Sequence, residues 1–183
     1  AGRKLVDNIQ RIYDADFSVI VYNFLDILSH ARTETDIIRE LTEDEASFRS
    51  LTRSWFEHSD LFTLLRLLSK RGHTVIITSD HGTIRVDNPI RVTGDRETSP
   101  NLRYKTGRNL SYNPREVYEI TRPEDIQLPR INLSSYIFAY NTDFLVYNND
   151  ANRFIRYYKN TFQHGGISME EMIVPYIVLK PKQ

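Results

Sequence analysis

VIITSDHGT, residues 75–83, is the stretch that decides how this chain folds. Val75, Ile76 and Ile77 are β-branched and mark a buried strand. Gly72, just before them, marks the end of a preceding helix. The strand runs out of apolar residues into Asp80-His81-Gly82, so an acid and an imidazole arrive together at one end of a sheet. In open α/β sheets that end is where ligands sit.

Upstream, Leu5, Val6, Ile9 and Ile12 recur at helical spacing and predict a helix over 3–13. FSVIVY (17–22) reads as a first buried strand, and NFLDILSH (23–30) leaves it. Residues 33–45 read as helical around Ile37, Ile38 and Leu41. A longer helical pattern covers 46–71, broken near Ser59-Asp60, where Ser59 is placed to cap a new helix. Helix, strand, helix, strand is the order of an α/β fold with a parallel sheet.

Downstream the pattern changes. TIRVDNPIRV (83–92) alternates about Asp87-Asn88-Pro89 and predicts a hairpin. Residues 93–115 form a long polar stretch, of a length that is usually functional or disordered. Shorter strands are expected at 118–120, 136–140 and 144–147, a helix at 150–160 and a closing strand at 173–179.

Composition sets the bounds. With 183 residues, 40% apolar and 26% charged, the chain is long enough for one domain with a sizeable core. Its formal net charge of zero gives no global electrostatic case for nucleic acid or an anionic membrane. The absence of cysteine excludes disulfides and thiolate metal sites. That fits a cytoplasmic location, which is the expectation. No apolar run approaches the length of a membrane span. The chain begins Ala1-Gly2-Arg3, so it is expected to be a piece of something longer.

Of the five histidines, three stand in motif-like settings. His81 follows Asp80 at the strand end. His30 lies four residues after Asp26, so a helix projects both from one face. His164 precedes Gly165-Gly166, where glycine permits a sharp turn or a close backbone approach. Each signal alone has a plain alternative: a helix-surface pair for Asp26 and His30, a polar turn for Asp80-His81-Gly82. Together they offer two Asp and three His, a donor set without sulfur that suits zinc or another divalent ion. Five ligands exceed what one tetrahedral ion needs and fit two ions, as in sites that catalyse in-line displacement at phosphorus. His58 and His73 have no such context and are expected at or near the surface.

NFLDILSH, TSDHG and QHGGISMEEMIVP, with RYKTGRNL in the middle loop, resemble the alkaline phosphatase superfamily. More narrowly they resemble its PglZ-type domain, and most of all the C-terminal effector domain of PorX-type two-component response regulators, linked to type IX secretion in Bacteroidetes. The likeness runs from about Phe17 to Leu179. It implies an alkaline-phosphatase-like mixed, mainly parallel sheet flanked by helices, with residues 1–183 as the C-terminal portion of a single domain. Two zinc ions are implied: Asp26, His30 and His164 as ligands of one, Asp80 and His81 as part of the second. The family's nucleophile and a further aspartate are implied to lie upstream, as is the receiver domain, so no catalytic nucleophile is assigned within this chain. Arg103, Lys105 or Arg108 is expected at a substrate phosphate, and Tyr104 or Tyr112 at a base.

The function implied is a zinc-dependent phosphoric ester hydrolase module, acting on phosphodiesters or nucleotides and serving as a response-regulator effector. Ligands must be deprotonated to bind metal, so activity is expected to fall at acid pH. Two alternatives stay open. One is a phosphomutase or phosphotransferase of the same superfamily. The other is a signalling or homodimerising module with a vestigial or structural metal site, using Tyr136–Tyr140 and Phe154–Tyr158 as a partner surface.

Overall fold

Helices occupy the chain ahead of residue 71 because apolar positions there recur every three or four residues and polar side chains close the ends. The computed structural model describes residues 6, 8–42, 44–94, 99–129 and 135–181. They fall into two compact units, residues 1–78 with 175–183, and residues 79–174.

The first unit carries α1 (Ile9–Tyr13), α2 (Phe24–Glu34), α3 (Asp36–Leu41), α4 (Glu45–Glu57) and α5 (Asp60–Lys70). Asp44 caps α4, its Oδ1 accepting from the Ser47 N–H at 2.7 Å. Ser59 caps α5, accepting from the Phe62 N–H at 3.2 Å. Leu64 and Leu68, one turn apart on α5, are buried, and so is Leu28 on α2. Phe24 stacks on Trp55 with centroids 3.7 Å apart. Gly72 ends α5 at φ +79°, a left-handed value that favours glycine. The His73 N–H then donates to the Leu68 carbonyl and the Gly72 N–H to that of Ser69, the paired bonds of a Schellman end. Strand β1 (Val75–Thr78) follows and pairs antiparallel with β9 (Tyr176–Leu179), Val75 opposite Leu179.

The second unit is built on strands. They are β2 (Ile84–Arg85), β3 (Asn88–Val92), β4 (Tyr104–Gly107), β5 (Val117–Ile120), β6 (Ser135–Ala139), β7 (Asp143–Tyr147) and β8 (Phe162–Gln163), with α6 (Ala151–Tyr158) and α7 (Met169–Met172). A short 3₁₀ turn, Pro123–Ile126, lies between β5 and β6. β3 runs parallel to β7, β2 pairs with β8, and β4, β6 and β5 form an antiparallel sheet with β6 central. β7 is buried on both faces, which is why it reads as a continuous apolar run. Leu145 joins Ile90, Val92, Val117, Ile137 and Ala139 in one cluster. Phe144 and Val146 join Ile84, Val86 and Ala151 in the other, with Ile155 and Tyr158 of α6 packed against it. Burial of each large apolar side chain here stabilises the unit by roughly 1.5–3 kcal/mol.

The α/β class stands as expected, and four local expectations are corrected. FSVIVY is not a strand: Phe17, Val19 and Val21 are 80%, 74% and 76% exposed, and no described strand pairs with it. Residues 83–92 are not a hairpin; β2 and β3 pair with β8 and β7, and the Asp87 N–H goes to the distant Thr142 carbonyl. The polar stretch 93–115 contains strand β4, registered Tyr104 opposite Phe138. The mainly parallel sheet expected is not what the described strands form: β3 with β7 is parallel, while the other four described strand pairs are antiparallel, β1 with β9 among them. The helix expected over 3–13 is described as α1, its first residues lying outside the described ones.

Candidate metal centre

Two glycine turns of the second unit bring His81 and His164 face to face. Their rings stack 3.9 Å apart, 13° from parallel. Their ligand nitrogens lie within 4.8 Å of one another, close enough to share one ion, whereas the family resemblance assigns them to two different ions. His81 Nδ1 lies 3.0 Å from the Gly82 carbonyl oxygen. A carbonyl only accepts, so in the neutral ring Nδ1 carries the proton and Nε2 offers its lone pair. Metal-ligating histidines are oriented by such a bond at the other ring nitrogen. Asp80 stands alongside, its Oδ1 3.8 Å from His81 Nε2 and accepting from the His81 N–H at 3.1 Å. Its side chain is largely exposed. Neutral nitrogen donors beside a carboxylate fit zinc or another borderline divalent ion.

The turns are held by α7. The Gly82 N–H donates to the Glu171 carbonyl at 2.8 Å, and a Cβ on Gly82 would collide with the Glu170 carbonyl. Gly165 adopts φ +100°, and a Cβ on Gly166 would sit 2.6 Å from Glu171 Oε2. The glycines thus permit the close approach read from the sequence. Burial works to raise the pKa of Glu171. Hydrogen bonds from Arg103 and Ser168, the Arg103 charge and the Gly166 N–H outweigh it and hold the carboxyl below its ordinary value. Sequence reading passed over Glu171 and its partner role for Arg103. The available signal was the Ser168-Met169-Glu170-Glu171 run at a helix start, the S-x-x-E pattern whose acid reaches back to the cap backbone. Glu171 Oε2 accepts from the Ser168 N–H at 3.3 Å.

The other expected site residues are placed as follows. Asp26 lies exposed in the first turn of α2, in the first unit. His30 lies one turn further along α2, and its side chain is outside the described residues. Arg103 and Lys105, expected at a substrate phosphate, are both fully buried, which redirects that expectation. Arg103 spends its donors on Glu171 and on the Asp143 carbonyl. Lys105 Nζ donates to the Ser99 carbonyl at 3.1 Å and lies 4.3 Å from the Tyr147 ring centroid. Arg108 is exposed just beyond β4. Tyr104 lies 6.1 Å from Phe138, and Tyr112 packs against the first cluster, its pKa pushed up to about 12 by burial and by Glu119. His58 is exposed and His73 half-buried against Tyr13, as expected of residues outside the site.

Mixed α/β architecture and an imidazole pair on glycine turns give the chain a candidate metal-binding site. Residues 1–179 match the family described as the BREX system PglZ alkaline phosphatase-like domain, and the chain belongs to that family. No curated protein matches the chain. Membership of that family suggests a phosphoesterase-type hydrolase and dependence on metal. Among the described residues, no helix is long and apolar enough to cross a membrane.

Proposed function

We propose that this chain supplies metal-binding and substrate-facing parts of a zinc-dependent phosphoester hydrolase acting on phosphodiesters or nucleotides. The observation that carries the reading is the stacked His81–His164 pair, with His81 Nδ1 committed to a carbonyl and Nε2 left for an ion. Asp80 adds a carboxylate beside it. Asp26 and His30 enter the proposal on family resemblance alone. When bound, the two ions would activate an attacking hydroxyl and stabilise the leaving oxygen. His81 and His164 would supply nitrogen donors that lie within 4.8 Å of one another. Asp80 offsets the positive charge. Of the three expected substrate cations, exposed Arg108 is the one retained for phosphate contact. The nucleophile is assigned, by resemblance, to sequence upstream. The narrower likeness to PorX-type effectors adds regulation by a receiver domain and a link to type IX secretion.

The test is a panel of phosphomonoesters, phosphodiesters and nucleotides, assayed with full-length protein after chelation and after zinc is restored. Zinc-restored phosphodiester or nucleotide cleavage is the expected result. Transfer of phosphate within a substrate, without release, would instead make the protein a mutase. A signalling or homodimerising module is a second reading, favoured by the partial exposure of Phe154 and Tyr157 on α6. A dimer that persists after chelation, in a protein that cleaves nothing on the panel, would favour it.

A further inference from the structure

Both histidine turns are fastened to a single residue. The Gly166 N–H donates to Glu171 Oε1 at 2.8 Å and the Ser168 N–H to Oε2 at 3.3 Å, fixing the turn that follows His164. The Gly82 N–H donates to the Glu171 carbonyl, fixing the turn that follows His81. Arg103 clamps the same carboxylate through two parallel bonds, Nε to Oε1 and Nη2 to Oε2, each 2.9 Å. Asn101 closes the circuit: its Oδ1 accepts from the Arg103 N–H at 2.7 Å, and its Nδ2 donates to the His164 carbonyl at 3.4 Å. The two charged side chains are 0% and 1% exposed.

A buried ion pair is a poor source of net stability, because an apolar pair of similar volume often does as well or better. What an apolar pair lacks is the acceptor oxygens that hold the Gly166 and Ser168 amides. We infer that the Arg103–Glu171 pair is a positioning device that sets the spacing and facing of His81 and His164 so that they meet a common metal ion. This inference rests on the zinc reading above. Neither residue touches the ion or substrate; both act through the turns.

The test uses full-length protein, with zinc affinity read by isothermal titration and thermal unfolding read on the metal-free form. The double variant Arg103→Met/Glu171→Leu keeps volume but removes the acceptors. It should unfold within a few degrees of the wild type and bind zinc about 10–100-fold more weakly, the usual loss when a group supporting a ligand is removed. Wild-type affinity in the folded double variant would overturn the inference, because a merely structural pair is replaced without loss at the metal. If the double variant does not fold, Arg103→Lys is read instead by the same affinity criterion, since it keeps the charge but loses the fork. His81→Ala and His164→Ala separate this from the zinc reading. If they bind zinc like the wild type, both readings fall. If they lose zinc and the pair variant does not, only the positioning role falls.

Discussion

Replacing Lys105 with methionine should stabilise the second unit at neutral pH and remove one component of its pH dependence. Lys105 is 1% exposed, faces no carboxylate named among its described partners, and lies on β4 opposite Ile137. Burial lowers its pKa from 10.5 to about 8. That depression corresponds to roughly 3 kcal/mol of cost for carrying the charge folded. Against it stands the ammonium over the Tyr147 ring, worth about 1–2 kcal/mol. The Ser99 carbonyl does not become an orphan in the variant, because the Tyr147 hydroxyl also donates to it at 2.9 Å. The net gain at pH 7 is therefore about 1–2 kcal/mol. Between the folded and unfolded values the unfolded chain holds a proton the folded one lacks, so wild-type stability climbs with pH from about 8 toward 10.5. The variant lacks that climb, and its advantage shrinks to nothing or reverses by pH 10. Urea unfolding followed by circular dichroism at pH 7 and pH 10 measures both. Trp55 is unsuitable as a probe because it reports the first unit. A difference between variant and wild type that stays the same at both pH values would refute the reasoning.

Other perturbations follow from the same contacts. Gly82→Ala should destabilise by several times the roughly 1 kcal/mol that a left-handed glycine costs, because its Cβ meets the Glu170 carbonyl; Gly72→Ala, with open space around it, should stay near that smaller figure in thermal unfolding. Ser59→Ala should lower first-unit stability by about 1 kcal/mol through loss of the α5 cap, read by Trp55 fluorescence. Leu145→Ala, at the centre of the second unit, should cost about 2–5 kcal/mol in urea titration. Glu171, whose carboxyl is held below its ordinary value, contributes stability present above the unfolded pKa and lost as pH falls through the folded one. The Arg103→Met/Glu171→Leu variant should therefore show a flatter acid-unfolding curve than the wild type.

The sequence carried the parts of the fold that local chemistry determines. Ser59 and Gly72 bound α5 as read, because a hydroxyl cap and a left-handed stop act within a few residues. Val75–Thr78 formed the strand its β-branching predicts, but not the fully buried one expected: Val75 and Ile77 are half-buried and Ile76 is 50% exposed. FSVIVY failed because an apolar run is a buried strand only where something pairs with it and covers it. RYKTG was hidden for the opposite reason. Its basic residues look like a solvated loop, yet Arg103, just before β4, and Lys105, within it, are buried because Glu171, 68 residues away in sequence, neutralises Arg103, and because Ser99 and Tyr147 receive Lys105. The 83–92 hairpin failed because its partners, β7 and β8, lie far along the chain. At the site, the Asp80-His81-Gly82 and His164-Gly165-Gly166 motifs were legible as histidine-bearing turns that come together. The glycines' reason was legible only as a need for space; the group filling it, Glu171, was not.

The central claim is that His81 and His164 bind one divalent ion. Elemental analysis of full-length protein purified with zinc, alongside His81→Ala, His164→Ala and His58→Ala, tests it most directly. The account predicts zinc retained by the wild type and by His58→Ala, and largely lost from the other two. Equal zinc in all four proteins would contradict it.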